Sequence, residues 1–197
     1  MHGRRPYPLL LTTFDFRGVF LKHSSKTAIG GIVSALSLTL LFMLSVIPFL
    51  TYALPALAGA LIIIIVIELG KSWAAGVYAT VSILAVLLVP NKEAAVMYVA
   101  FFGYYPIIKS LLESRMKKLP SLIIKTAVFS VSMLASYYLM IKFMGVEFDE
   151  IETFGKFAVP ILLGAGIAVF LLYDYTLSAM IYTYMKRWRK RLGRVFK

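Results

Sequence analysis

Apolar residues in this chain run in long unbroken blocks, and the polar ones gather in the short gaps between them. A bilayer's hydrocarbon core is matched by about 20 apolar residues in a helix. On that measure the blocks predict six crossings, over residues 28–50, 52–69, 72–89, 94–112, 121–143 and 159–184. The second block holds Leu61-Ile62-Ile63-Ile64-Ile65-Val66-Ile67, a run that in water would favour a strand. In lipid every backbone N–H and C=O must pair within its own segment, so a helix is expected instead. Glu68-Leu69-Gly70-Lys71 and Pro90-Asn91-Lys92-Glu93 read as compact turns. Pro106 removes a backbone donor and predicts a kink in the fourth span, with a freed carbonyl near Phe102. The expected fold is all-α: a polytopic membrane protein with a six-helix transmembrane bundle over residues 28–185, an interfacial segment over 1–27 and a basic tail over 186–197.

Composition strengthens the membrane reading. Of 197 residues 60% are hydrophobic and 15% charged, and mean hydropathy is +0.85. Soluble domains average about 45–50% apolar and about 25% charged. No cysteine is present, which excludes a disulfide framework, a thiolate metal site and a cysteine nucleophile. His2 and His23 lie outside the predicted spans, and there is no Walker-type glycine loop. Neither an intramembrane His-containing triad or zinc motif nor ATP hydrolysis of the Walker type is therefore expected, nor any cofactor, metal or enzyme activity.

The formal net charge of +12 has a topological explanation. Six spans put both termini on one side. That side receives Arg4, Arg5, Arg17, Lys22 and Lys26, then Lys71, then the Lys109–Lys125 group, in which Lys109, Glu113, Arg115, Lys117 and Lys118 read as a strongly basic loop closed by Pro120, and the tail. The opposite side receives Lys92, Lys142 and Lys156 among Glu93, Glu147, Asp149, Glu150 and Glu152. Lys and Arg in short loops stay cytosolic, so both termini are expected inside the cell membrane, with anionic headgroups as partners of the basic side. Nucleic acid is not needed to account for the charge.

Two groups of residues carry candidate chemistry. Asp174 lies between Tyr173 and Tyr175 inside the last span, where an ionised carboxylate costs at least about 2.5–3.5 kcal/mol and needs a partner. Lys109 and Lys71 are the natural choices, and Glu68 lies at the same end. The cluster reads either as a lock between helices or as a coupling site for a cytosolic partner. Towards the opposite side Asn91, Lys92, Glu93, Tyr98, Tyr137, Tyr138 and Lys142 would line a solute pocket, or serve as snorkelling and interfacial side chains. On the first span Gly31 and Ala35, and likewise Gly30 and Ser34, stand four apart, the spacing that lets another backbone approach. Packing within the chain and docking of another protein are both consistent with it.

Short-looped spans in under 200 residues, both ends inside, with small residues opening the first helix, resemble the substrate-binding (S) components of energy-coupling factor transporters. The resemblance runs from Lys26 onward and rests on architecture and on Gly30, Gly31, Ser34 and Ala35. It implies capture of a small, vitamin-like solute from outside and docking of the first helix on a membrane coupling subunit served by separate ATPases. The connection around Pro48 to Pro55 is short for a substrate lid, and no signature for a particular solute is visible. The rival reading is a small assembly or scaffold subunit of the cell envelope, similar in shape to membrane subunits of the rod-shape machinery. A standalone transporter using Asp174 and Glu68 as a relay lacks the inverted repeat that such folds carry.

Overall fold

A computed structural model describes residues 23–144 and 158–188. The N-terminal basics, the acidic segment 145–157 and tail residues 189–197 lie outside the described residues. Every described element is helical: α1 (His23–Met43), a 3-10 turn (Pro48–Leu50), α2 (Ala53–Glu68), α3 (Lys71–Leu88), α4 (Lys92–Met97), a π turn (Tyr98–Phe102), α5 (Tyr105–Arg115), α6 (Lys118–Met144), α7 (Ala158–Thr183) and a closing π turn (Tyr184–Trp188). The isoleucine-rich run is helix, as lipid requires.

Five stretches are long and apolar enough to cross a membrane: Ser24–Met43, Lys71–Leu88, Lys92–Arg115, Lys118–Met140 and Leu163–Arg187. The helix α2, with 16 residues, is shorter. At 1.5 Å per residue it spans about 24 Å, less than a typical hydrocarbon core. It is also the central element. Leu54, Ala58, Ile62, Ile63 and Ile65 are all nearly inaccessible, and α2 packs against α1, α3, α5 and α7. A helix walled by protein need not match the thickness of lipid.

Contacts along the helices fix their relative directions. Tyr173 of α7 donates to the Ala56 carbonyl (3.3 Å), and Tyr184, at the start of the π turn that continues α7, to the Glu68 carboxylate (3.2 Å). Both sequences advance together, so α2 and α7 run parallel. Tyr105 meets Asp174 and Lys109 meets Ser178 at one constant offset, so α5 and α7 are parallel as well. The second, fourth and last spans therefore point the same way.

The fourth span is broken where Pro106 predicts it. Its helix widens into the π turn, closed by Gly103 N–H to Tyr98 C=O at 2.8 Å, and α5 restarts with Pro106 in its first turn. The Tyr78 hydroxyl donates to the Val99 carbonyl at 2.7 Å. The Phe102 carbonyl sits so close to Gly59 of α2 that a side chain at Gly59 would overlap it. Glycine is required there by close backbone approach.

One expectation is corrected. The predicted basic loop of Lys109, Glu113, Arg115, Lys117 and Lys118 is almost all helix. Lys109 and Glu113 belong to α5, Lys125 lies two turns inside α6, and only Met116 and Lys117 separate the helices. Pro120 sits in the first turn of α6, where its missing N–H breaks no helical bond. Lys109 is fully buried and Lys125 is 4% exposed.

Candidate functional site

The densest polar chemistry lies where α5, α6 and α7 meet. Tyr105, Lys109 and Glu113 follow one another at four-residue spacing and so share one face of α5. Asp174 and Ser178 do the same on α7. The α6 helix, entering from its N-terminus, adds Lys125. The Lys109 Nζ lies 2.6 Å from Asp174 Oδ1, 2.7 Å from Glu113 Oε1 and 2.9 Å from Ser178 Oγ, with the Asp174 carbonyl at 3.2 Å. Lys125 Nζ donates to Asp174 Oδ2 at 2.8 Å and Glu113 Oε1 at 2.9 Å. The Tyr105 hydroxyl also donates to Asp174 Oδ1.

Two ammonium groups and two carboxylates make the circuit electrically neutral. An ammonium has three protons to donate and a carboxylate about four acceptor sites, so Lys109 and Asp174 are both saturated. Asp174 accepts hydrogen bonds from α5 and α6 together, which makes its side chain the pin between three helices. Glu113, at 24% side-chain exposure, is the member nearest solvent.

One turn deeper, the same three helices each supply an aromatic ring: Phe101 from the π turn before α5, Phe129 from α6 and Phe170 from α7. Phe129 stacks on Phe170 at 4.9 Å, and Phe101 meets Phe129 edge-on at 5.1 Å. Tyr105 lies 4.8 Å from Phe101 and 5.4 Å from Phe170. The ion layer is thus floored by a packed aromatic layer, which raises the electrostatic worth of the bonds above it by excluding water.

The other predicted residues take separate places. Glu68 accepts from Tyr184, ten residues beyond Asp174 in the chain. Lys71 opens α3 and takes no part in the circuit. Asn91 caps α4, its side chain accepting from Ala94 N–H at 3.0 Å, and Glu93 lies in the first turn. Lys92 folds back onto the Val86 carbonyl at 2.9 Å. Tyr98 is wholly enclosed, and its hydroxyl has no partner among the described residues. Tyr138 is 60% exposed and Lys142 lies 5.5 Å above its ring. Asn91 and Lys92 are thus bound to backbone close by in the chain, and Lys142 to Tyr138 of its own helix.

The small residues of α1 divide into two faces. Gly30 and Ser34 are buried, with Val77 of α3 against Gly30. Gly31 and Ala35 point outward, and a side chain added at Gly31 would meet nothing within 4 Å.

Sequence reasoning missed Lys125, Glu113, Tyr105 and Ser178. The signal for Lys125 was present: it follows Leu122-Ile123-Ile124 inside an apolar block, where a lone charge demands a partner. Glu113 was marked by its four-residue spacing from Lys109. Among the described residues no group of three His, Asp or Glu side chains is placed to hold a metal ion. Chemically, the arrangement is a closed set of charge-assisted hydrogen bonds that joins helices. No protein-family model matches the chain, and neither a curated protein nor a solved structure does.

Proposed function

We propose that this chain is a rigid, membrane-embedded assembly subunit of the cell envelope, working by docking other membrane proteins. The observation that carries this reading is the neutral circuit around Asp174, which ties three spans into one body. A bundle whose internal charges are all used by one another offers a fixed outer surface. On that surface Gly31 and Ala35 leave the α1 backbone bare, which suits close approach of a partner helix.

Orientation follows from the charges that remain. With Lys109 and Lys125 neutralised internally, the end that includes Lys26, Lys71, Arg115, Lys117, Lys118, Lys186 and Arg187 is still strongly basic. At the other end Lys92 and Lys142 are the cations, with Glu93 next to Lys92. The basic end belongs in the cytosol of the cell membrane.

A second reading, the solute-capture subunit, is favoured by the exposed pair Tyr138 and Lys142. In that reading Gly31 and Ala35 would face a coupling subunit, and the pair would meet an anionic solute. Purification from native membranes, with quantification of bound proteins and small molecules, separates the two. The assembly reading expects membrane proteins in fixed ratio, lost on Gly31→Leu with Ala35→Leu, and no stoichiometric solute. A bound solute that disappears in Tyr138→Ala would transfer the conclusion to the second reading.

A further inference from the structure

The last span ends in a feature that neither reading uses. Beyond Thr183 the helix widens into a π turn over Tyr184–Trp188, and this turn is tethered to α2 by the Tyr184–Glu68 bond. Beside it lies a cavity of about 360 Å³ lined by Tyr182, Thr183, Lys186 and Arg187. It is half open to the outside, as a site for a headgroup whose chains remain in lipid must be. Lys186 is drawn over the Tyr182 ring, its Nζ 5.5 Å from the ring centroid and 3.4 Å from the hydroxyl. Among the described residues neither Lys186 nor Arg187 pairs with a carboxylate. Two adjacent cations, a hydroxyl and a phenol at the mouth of a cavity are donors arranged for a phosphate.

The same face of α7 decides the source of that phosphate. Val169, Leu172 and Tyr175 are 61%, 66% and 74% exposed, and with Ala179 they form an apolar stripe that runs up to Tyr182. We infer that this cavity binds the headgroup phosphate of an anionic diacyl lipid, with the acyl chains lying along Tyr175, Leu172 and Val169. The cations hold the phosphate at the interface, and the stripe gives the chains a protein wall. A free phosphate would use the cavity but not the stripe. The inference stands apart from the function proposed above.

Native mass spectrometry of the full chain, titrated with phosphatidylglycerol or phosphatidylcholine, tests it. Retained phosphatidylglycerol is expected to exceed phosphatidylcholine, and K186Q/R187Q is expected to weaken it about tenfold or more, since each surface cation contributes substantially to anionic-lipid binding. R189Q/K190Q removes the same charge from the tail and is expected to weaken binding clearly less than K186Q/R187Q, since it takes away only diffuse attraction. K186R/R187K, which conserves charge, is expected to retain the lipid and guards against a folding defect in the glutamine pair. Equal losses in the two glutamine pairs would overturn the site in favour of diffuse attraction. So would equal binding of the two lipids, or displacement of the bound lipid by millimolar inorganic phosphate.

Discussion

Lys109 and Asp174 meet at 2.6 Å on parallel helices, with the lysine side chain wholly enclosed. Removing one partner of such a pair leaves an uncompensated buried charge, which typically costs about 3–5 kcal/mol. Lys109→Met is therefore expected to lower stability by that order in detergent or bilayer unfolding. Lys109→Met combined with Asp174→Asn leaves Lys125 and Glu113 balanced and is expected to recover part of the loss, with a coupling of roughly 1–3 kcal/mol. Strict additivity in the double variant would show that the two residues do not act as a pair.

Within the circuit the members are unequal. Asp174 binds both lysines and Tyr105, whereas Glu113 keeps access to solvent. Asp174→Asn is expected to destabilise more than Glu113→Gln, because water can screen the charges left behind near Glu113. Tyr105→Phe removes one donor to a charged acceptor without unbalancing the cluster, a loss of roughly 1.5–3 kcal/mol. Unfolding midpoints of the three variants give the order directly, and a Glu113 variant weaker than the Asp174 variant would reverse the assignment of the central pin.

The spans and the turns at Gly70 and Asn91 were legible in the sequence because lipid enforces long apolar blocks and polar gaps. Pro106 likewise marked the break in the fourth span, since a missing N–H acts locally. The error at Lys109 to Lys118 has a physical origin. A cluster of cations reads as a loop when each is counted as solvated, and counting cannot show that two acids, one of them some fifty residues away, neutralise two of the lysines. Gly31 and Gly30 show the same limit. Adjacent residues with the same side chain face opposite environments, and an apolar span has too little amphipathic contrast to say which face is which.

Gly59 and Gly31 predict opposite outcomes for one substitution. A Cβ at Gly59 would overlap the Phe102 carbonyl, and backbone cannot swing aside as a flexible side chain can. Gly59→Ala is expected to cost at least about 1–3 kcal/mol, the usual range for overpacking. At Gly31 nothing lies within 4 Å. Gly31→Ala is expected to be neutral or to stabilise by up to about 0.5–1 kcal/mol, the helix preference of alanine over glycine. Thermal unfolding in one detergent compares both, and a tolerated Gly59→Ala would mean that α2 and the π turn are further apart than described.

The absence of cysteine makes sidedness directly measurable. Lys117 precedes α6 and Lys142 lies near its far end; both are exposed. A helix of 27 residues extends about 40 Å, so these positions fall on opposite faces of a membrane if α6 crosses it. In intact cells Lys142→Cys is expected to react with a membrane-impermeant maleimide, and Lys117→Cys only after permeabilisation. The expectation rests on the cations flanking Lys117: Arg115 and Lys118 beside it, with Lys71, Lys186 and Arg187 at the ends of other helices. Reversed labelling would require all of these to have crossed the bilayer, against the strong bias that retains Lys and Arg in the cytosol. Labelling of both positions from outside would instead remove α6 as a crossing.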